Sequence, residues 1–242
     1  MEKVHGGFLM LYKQYVVILE NYLTQEEVDY IHGYAFNLPV QEGRLGFVGK
    51  DKDGEQHRNE GKTGNKDNTV RQSTNKWLEH DPELEGDFDQ VLKQKIFDGM
   101  VHANQMAGWN YEIDGMETWQ YTIYEAQPDK PTGDFYTWHT DSGPELYKNG
   151  RTRKVSCTVQ LSNPEEYEGG HFQWLEHMEV FDNLRTRDSA INPDELIHTA
   201  PFSGKTLGSL IVFPSWLHHQ VTPVTHGIRK SLVVWNTGWP LK

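Results

Sequence analysis

Three potential metal ligands and one arginine carry the most chemical information in this chain: His139 and Asp141 in His139-Thr140-Asp141, His219 in Leu217-His218-His219-Gln220-Val221, and Arg229. On an extended strand, residues i and i+2 project to the same face, so His139 and Asp141 can address one ion without distorting the backbone. A second imidazole completes a two-histidine, one-carboxylate set. Such a set covers one face of an octahedral iron(II) and leaves positions open for substrate and dioxygen. A nearby arginine, permanently charged and fork-shaped, suits the far carboxylate of a dicarboxylic cosubstrate.

Residue types alone are weak evidence here. With 12 His and 35 Asp and Glu residues, a His-x-Asp triplet arises by chance about once in such a chain. Context raises its value. His139 closes the β-favouring run Phe135-Tyr136-Thr137-Trp138, and the second histidine pair follows Ser209-Leu210-Ile211-Val212-Phe213, another strong strand.

The elements that must position these residues follow from the hydrophobic pattern. An opening strand spans 15–19, and Thr24 with Glu27 has capping-box spacing for a helix whose apolar side is Val28, Ile31 and Ala35. A second helix is expected from Phe88 to Met106, with Phe88, Val91, Leu92, Ile96 and Met100 on one side. Between them, 41–68 is rich in Gly, Lys, Asp and Asn and reads as a long mobile loop, either an active-site lid or a disordered segment. From Glu117 onward the pattern turns to strands over 118–124, 135–139, 154–162, 170–175, 207–213 and 229–236. This order predicts a mainly β chain with flanking α: a jelly roll over 117–240, with a helical support region over 1–110 packed outside, in one domain of 242 residues. Val155, Cys157, Val159 and Leu161 alternate with Ser156, Thr158 and Gln160, so the polar face of that strand either meets water or lines an internal cavity.

Composition narrows the function classes. A formal charge of −12 argues against a broad basic face for nucleic acid. Cys157 is the sole cysteine, which excludes an intramolecular disulfide and favours a packed thiol in a reducing, cytoplasmic setting. The segment Met1-Glu2-Lys3-Val4-His5 lacks the features of a secretion signal, and no stretch offers the ~20 apolar residues that span a bilayer, so a soluble protein is expected.

Four stretches in order resemble the iron(II)/2-oxoglutarate-dependent oxygenases of the prolyl 4-hydroxylase-like branch: 133–141, Arg153-Lys154-Val155-Ser156 through Gly170, Phe213-Pro214-Ser215-Trp216 through Val224, and Gly227-Ile228-Arg229. The resemblance implies a double-stranded β-helix of cupin type. It implies that His139, Asp141 and His219 hold Fe(II) and that Arg229 pairs with the distal carboxylate of 2-oxoglutarate. It further implies that Tyr124 hydrogen-bonds this cosubstrate, although the insert 125–132 is longer than usual, and that Gln160 stands near it. Dioxygen is the co-reactant, succinate and CO2 the co-products, and ascorbate a potential reductant. Of the neighbouring His218 and His219, which face opposite ways on a regular strand, the family spacing selects His219. Asp141 fills the position that halogenating relatives leave empty. Trp235 stands where nucleic-acid dealkylating relatives carry a second arginine. The implied substrate is a peptidyl, prolyl-type side chain or a small molecule such as a free amino acid. The alternatives are a non-catalytic jelly-roll ligand-binding module and a cupin-like protein whose ion acts as a Lewis acid. Oligomeric state is not encoded in any of these features.

Overall fold

A computed structural model describes residues 15–45, 48–50, 56–58, 66–78, 87–128, 132–143, 146–147, 149–175 and 196–240. In chain order, the N-terminal part runs β1 (Val17–Leu19), α1 (Gln25–Phe36), β2 (Gln41–Glu42), β3 (Val48–Lys50), β4 (Gln56–Arg58), β5 (Arg71–Gln72), β6 (Thr74–Leu78) and α2 (Asp87–Met106). The C-terminal part continues with β7 (Gly115–Met116), β8 (Trp119–Glu125), β9 (Phe135–His139), β10 (Thr152–Gln160), β11 (Tyr167–Gly169) and β12 (Phe172–Leu175). It ends with β13 (Ile197–Thr199), β14 (Leu210–Pro214), β15 (His218–Val221) and β16 (Val224–Gly238).

Two antiparallel sheets face each other. The major sheet has the order β1-β14-β10-β16-β8-β6-β2, with β7 and β11 also paired to β16; the minor sheet has the order β13-β12-β15-β9-β5. Three central strands of the major sheet, β16, β8 and β10 from Val155 onward, alternate between two faces. Val155, Cys157 and Val159, Leu232 and Val234, and Trp119 and Tyr121 point to one face and join a core with Val28, Ile31, Ala35, Leu92, Ile96, Met100 and Ala103 of the two helices. Fully burying each such aliphatic side chain is worth roughly 1.5–3 kcal/mol, so this layer anchors the sheet. The opposite face of the same strands carries Gln120, Tyr124, Thr158, Arg229 and Ser231 into the space between the sheets.

The helices form where their signals lie. Thr24 Oγ1 accepts from the Glu27 amide at 3.3 Å, and the Glu27 carboxylate accepts from the Thr24 amide at 2.7 Å. His32, half-buried on α1, bridges the Tyr121 hydroxyl at 2.8 Å and the Leu161 carbonyl at 2.9 Å, pinning helix to sheet. Val91 corrects the expected apolar face of α2: it is 61 % exposed while Leu92, Ile96, Met100 and Ala103 are buried. A helix laid on a sheet buries a narrow stripe, and position 91 lies beyond its edge. The Phe88 side chain lies outside the described residues.

The segment 41–68 is not wholly loop. It contains β2, which pairs with β6, and the ribbon β3–β4, while 46–47, 51–55 and 59–65 lie outside the described residues. Nor is the N-terminal part only helical support: β1 pairs with β14, β6 with β8, and β5 with β9, so it extends both sheets. Within a few residues the chain passes from β5 in the minor sheet to β6 in the major one, at Ser73.

Candidate metal and cosubstrate site

His139 ends β9, and His219 sits directly opposite it on β15. Asp141 follows just past the strand, where its amide and that of Ser142 both donate to the Ser215 carbonyl at 2.9 Å. These three side chains converge: their potential ligand atoms all lie within 4.8 Å of one another. Asp141 Oδ1 is 3.9 Å from His139 Nε2, and its Oδ2 is 3.7 Å from His219 Nε2.

Tautomers are set by the backbone. His139 Nδ1 meets the Thr137 carbonyl at 2.7 Å and His219 Nδ1 meets the Leu217 carbonyl at 2.9 Å, each a carbonyl two residues back. A carbonyl only accepts, so Nδ1 carries the proton and both Nε2 lone pairs face Asp141, as metal-ligating histidines require. Burial favours neutral His139, with the neighbouring His219 acting in the same direction. For Asp141, burial alone would raise the carboxyl, but His219, His139, Arg153 and the Ser156 hydroxyl together hold it well below the usual range. Two imidazole Nε2 atoms and one carboxylate are the donor set of a divalent first-row metal with open positions.

A cavity of about 290 Å³ opens beside this cluster. Its floor is the polar face of the major sheet, which settles the two readings of β10: Ser156, Thr158 and Gln160 are 0, 7 and 2 % exposed. Thr158 lines the cavity. Arg229, 2 % exposed, donates from Nη2 to Gln160 Oε1 at 3.1 Å and from Nη1 to Ser231 Oγ at 3.3 Å, both neutral acceptors. Its Nε and the Gln160 amide nitrogen are buried with no partner among the described residues, an arrangement with capacity for one more acceptor. Tyr124 lies opposite Arg229 in register, its ring 5.6 Å below the guanidinium. The insert 125–132 leaves β8 in place, because Asp134 and Ala126 amides close onto Glu125 and Gly227 carbonyls. Gly170, at φ +56°, leaves room for the arginine stem: a Cβ there would come within 2.8 Å of Arg229 Cδ.

The structure thus brings His139, Asp141, His219, Arg229 and Tyr124 to one cavity, with Gln160 bonded to the arginine. Several lining residues were not singled out from sequence. Arg153 forms a two-bond pair with Glu117, at 2.7 and 2.6 Å, and lies 3.7 Å over the Trp235 ring. A register shift between Arg153 and Val155 turns it to the cavity side, which simple alternation does not reveal. Tyr136 stacks on His139 with ring centroids 3.4 Å apart. Arg71 lies over the other partner in that stack, 4.6 Å from the Tyr136 centroid. Its strand is two residues long, too short for periodicity to mark. Cys157 is buried, and burial pushes its thiol up.

Residues 119–237 match the 2OG-Fe(II) oxygenase superfamily, a stretch that holds His139, Asp141, His219, Arg229, Tyr124 and Gln160. The chain is thus similar to 2OG-Fe(II) oxygenases, and its hydroxylase relatives point to the prolyl 4-hydroxylase-like branch. It is 36 % identical over 96 residues to a PKHD-type hydroxylase of Azoarcus sp. (strain BH72), a match covering 39 % of this chain and 34 % of that protein. A PKHD-type hydroxylase of Stenotrophomonas maltophilia (strain R551-3) is 31 % identical over 105 residues, 43 % of this chain and 38 % of the relative. The matched region therefore spans little more than a third of the length of these relatives. Among solved structures, the fold is shared with a Trichoplax adhaerens prolyl hydroxylase in complex with a hypoxia inducible factor peptide fragment, at TM-score 0.55 and 15 % identity over 91 % of this chain and 82 % of that one. It is also shared with the viral collagen prolyl hydroxylase of Paramecium Bursaria Chlorella virus-1 in its 2OG complex, at TM-score 0.54 and 16 % identity over 93 and 97 %. Among the described residues, no helix is long and apolar enough to cross a membrane.

Proposed function

We propose that the protein is an Fe(II)- and 2-oxoglutarate-dependent dioxygenase that hydroxylates an unactivated C–H bond, on a peptidyl, prolyl-type side chain. The observation that carries this reading is the pairing, in one cavity, of the His139, Asp141 and His219 cluster with a buried arginine that, among the described residues, is bonded only to neutral acceptors. With iron(II) bound, one atom of dioxygen would go to 2-oxoglutarate, giving succinate and CO2, and the other to the substrate C–H bond; ascorbate is a candidate reductant for idle turnover.

The chain's own residues divide the remaining work. His139 and His219 would present Nε2 and Asp141 one carboxylate oxygen, with each Nδ1 held by a backbone carbonyl. Arg229 would take the distal carboxylate of 2-oxoglutarate, with the Tyr124 hydroxyl beside it and Gln160 fixing the guanidinium plane. Phe172 and Phe213, packed against His219 at ring distances of 5.5 and 4.5 Å, keep water from the imidazole's flank. The prolyl-type substrate is supported by the PKHD-type relatives and by the peptide bound in the Trichoplax structure.

Anaerobic addition of iron(II) and 2-oxoglutarate tests the chemistry. A weak visible charge-transfer band that His139→Ala and Asp141→Ala abolish is expected, and its absence in folded, metal-loaded wild type would overturn the reading. Succinate release across proline-containing peptides, paired with a one-oxygen mass gain on the peptide, tests the substrate class.

A further inference from the structure

Arg71 has no role in the site as described, yet it is 6 % exposed and lines the same cavity. Its Nε donates to Ser73 Oγ at 2.8 Å, Nη1 to the Arg44 carbonyl at 3.2 Å and Nη2 to Asn75 Oδ1 at 3.1 Å. All three acceptors are neutral, and among the described residues no carboxylate lies within ion-pair distance. Arg153, across the cavity, shows the contrast: its charge is met by Glu117 at 2.6 Å. A buried guanidinium without a counter-charge is costly, and a fold that keeps one has usually reserved it for an anion.

Position says which anion. Arg71 is directly opposite Tyr136 in register, and the Tyr136 ring is the spacer between it and His139. Its charge is therefore one aromatic ring away from the metal cluster, on the minor sheet, whereas Arg229 stands on the major sheet. An adjoining polar cavity shares Arg71 with Glu42, Glu125 and Asp134. Two of these carboxylates are already engaged: Asp134 by the Glu125 amide at 3.1 Å and Gln127 at 3.3 Å, and Glu42 by Lys66 at 2.8 Å. Once the distal carboxylate of 2-oxoglutarate takes Arg229, Arg71 remains beside the reacting centre with no ion pair to a carboxylate among the described residues.

We propose that Arg71 is a specificity-determining residue that binds a carboxylate of the primary substrate. The proposal rests on the oxygenase reading and narrows its substrate to acids, either a free amino or carboxylic acid or a peptide whose carboxylate enters the cavity. A planar fork suits a carboxylate, and a cavity of about 290 Å³ that also holds the cosubstrate favours a compact group over a phosphate ester.

The test uses the full chain, anaerobic and loaded with iron(II) and 2-oxoglutarate, so that nothing turns over. Equilibrium dialysis measures binding of the common amino acids against their primary amides, and of proline-containing peptides ending in a carboxylate against the same peptides ending in an amide. Acids that bind at least tenfold tighter than their amides are expected. Arg71→Gln should erase that preference while leaving the charge-transfer band and the 2-oxoglutarate affinity unchanged; Arg71→Lys should retain part of it. Preference among free acids identifies a small-molecule substrate, and preference confined to peptides a chain-borne one. Equal binding of acids and amides by wild type overturns the proposal without any variant, as does tighter binding of phosphorylated amino acids than of carboxylates. A raised 2-oxoglutarate requirement in Arg71→Gln also overturns it, because Arg71 would then belong to the cosubstrate clamp. Loss of the band itself in wild type would instead overturn the oxygenase reading.

Discussion

Replacing Arg229 by Gln should weaken 2-oxoglutarate binding by roughly 10- to 150-fold and leave iron(II) binding intact. The magnitude follows from what the guanidinium still has to offer. Gln160 and Ser231 occupy one N–H on each terminal nitrogen, at 3.1 and 3.3 Å, while Nε is buried with no partner among the described residues. The remaining donors form a fork for one carboxylate, and a charge-assisted contact of that kind is worth about 1.5–3 kcal/mol, each 1.4 kcal/mol being tenfold in affinity. The anaerobic charge-transfer band, titrated with 2-oxoglutarate, gives the dissociation constant directly. Thermal unfolding gives a second readout by linkage. At a ligand concentration about 100 times the wild-type constant, binding adds about 2.7 kcal/mol to wild type but only about 0.4 kcal/mol to a variant weakened 100-fold. Without cosubstrate, the variant should be no less stable than wild type, since it removes a buried charge that no carboxylate answers among the described residues. An unchanged constant would refute the clamp, and a lost metal site would show that Arg229 supports the cluster instead.

Other residues give independent checks. His219→Gln should abolish iron(II) binding while His218→Gln retains it, measured by metal content after dialysis; the reverse result would invert the choice made between them. Cys157, whose thiol burial pushes up, should resist a thiol reagent at pH 8 in the folded protein and react once denatured. Rapid reaction in the native state would place it outside the core. Burial lowers His32 below its ordinary value, outweighing the Leu161 carbonyl, so in the window below pH 6.5 the unfolded chain binds a proton that the fold refuses. Stability should therefore fall as pH drops through that window until the lowered folded value is reached, and His32→Gln should flatten the slope of the urea midpoint against pH. An unaltered slope would assign the acid sensitivity to other groups.

Local signals in the sequence sufficed for much of the architecture. The Thr24 and Glu27 cap, the apolar spacing of Val28, Ile31 and Ala35, and the alternation through Val155 to Leu161 depend on neighbours one to four residues apart, so the chain states them directly. The convergence of the candidate metal ligands was equally legible, because strand geometry fixes the direction of His139 relative to Asp141 and motif order supplied His219 and Arg229. What lay beyond reach depends on pairing between distant segments. Nothing local says that the polar face of β10 is roofed by a second sheet, that a register shift turns Arg153 inward, or that a two-residue strand sets Arg71 across from Tyr136. Even the placing of His219 rather than His218 beside Asp141 depends on packing, since an alternating strand offers both sides and only the facing sheet decides which side is the cavity. Residue type and period thus determined which groups could act; the closing of one sheet over the other decided which of them meet, and left one arginine beside the metal cluster whose charge the described protein does not answer.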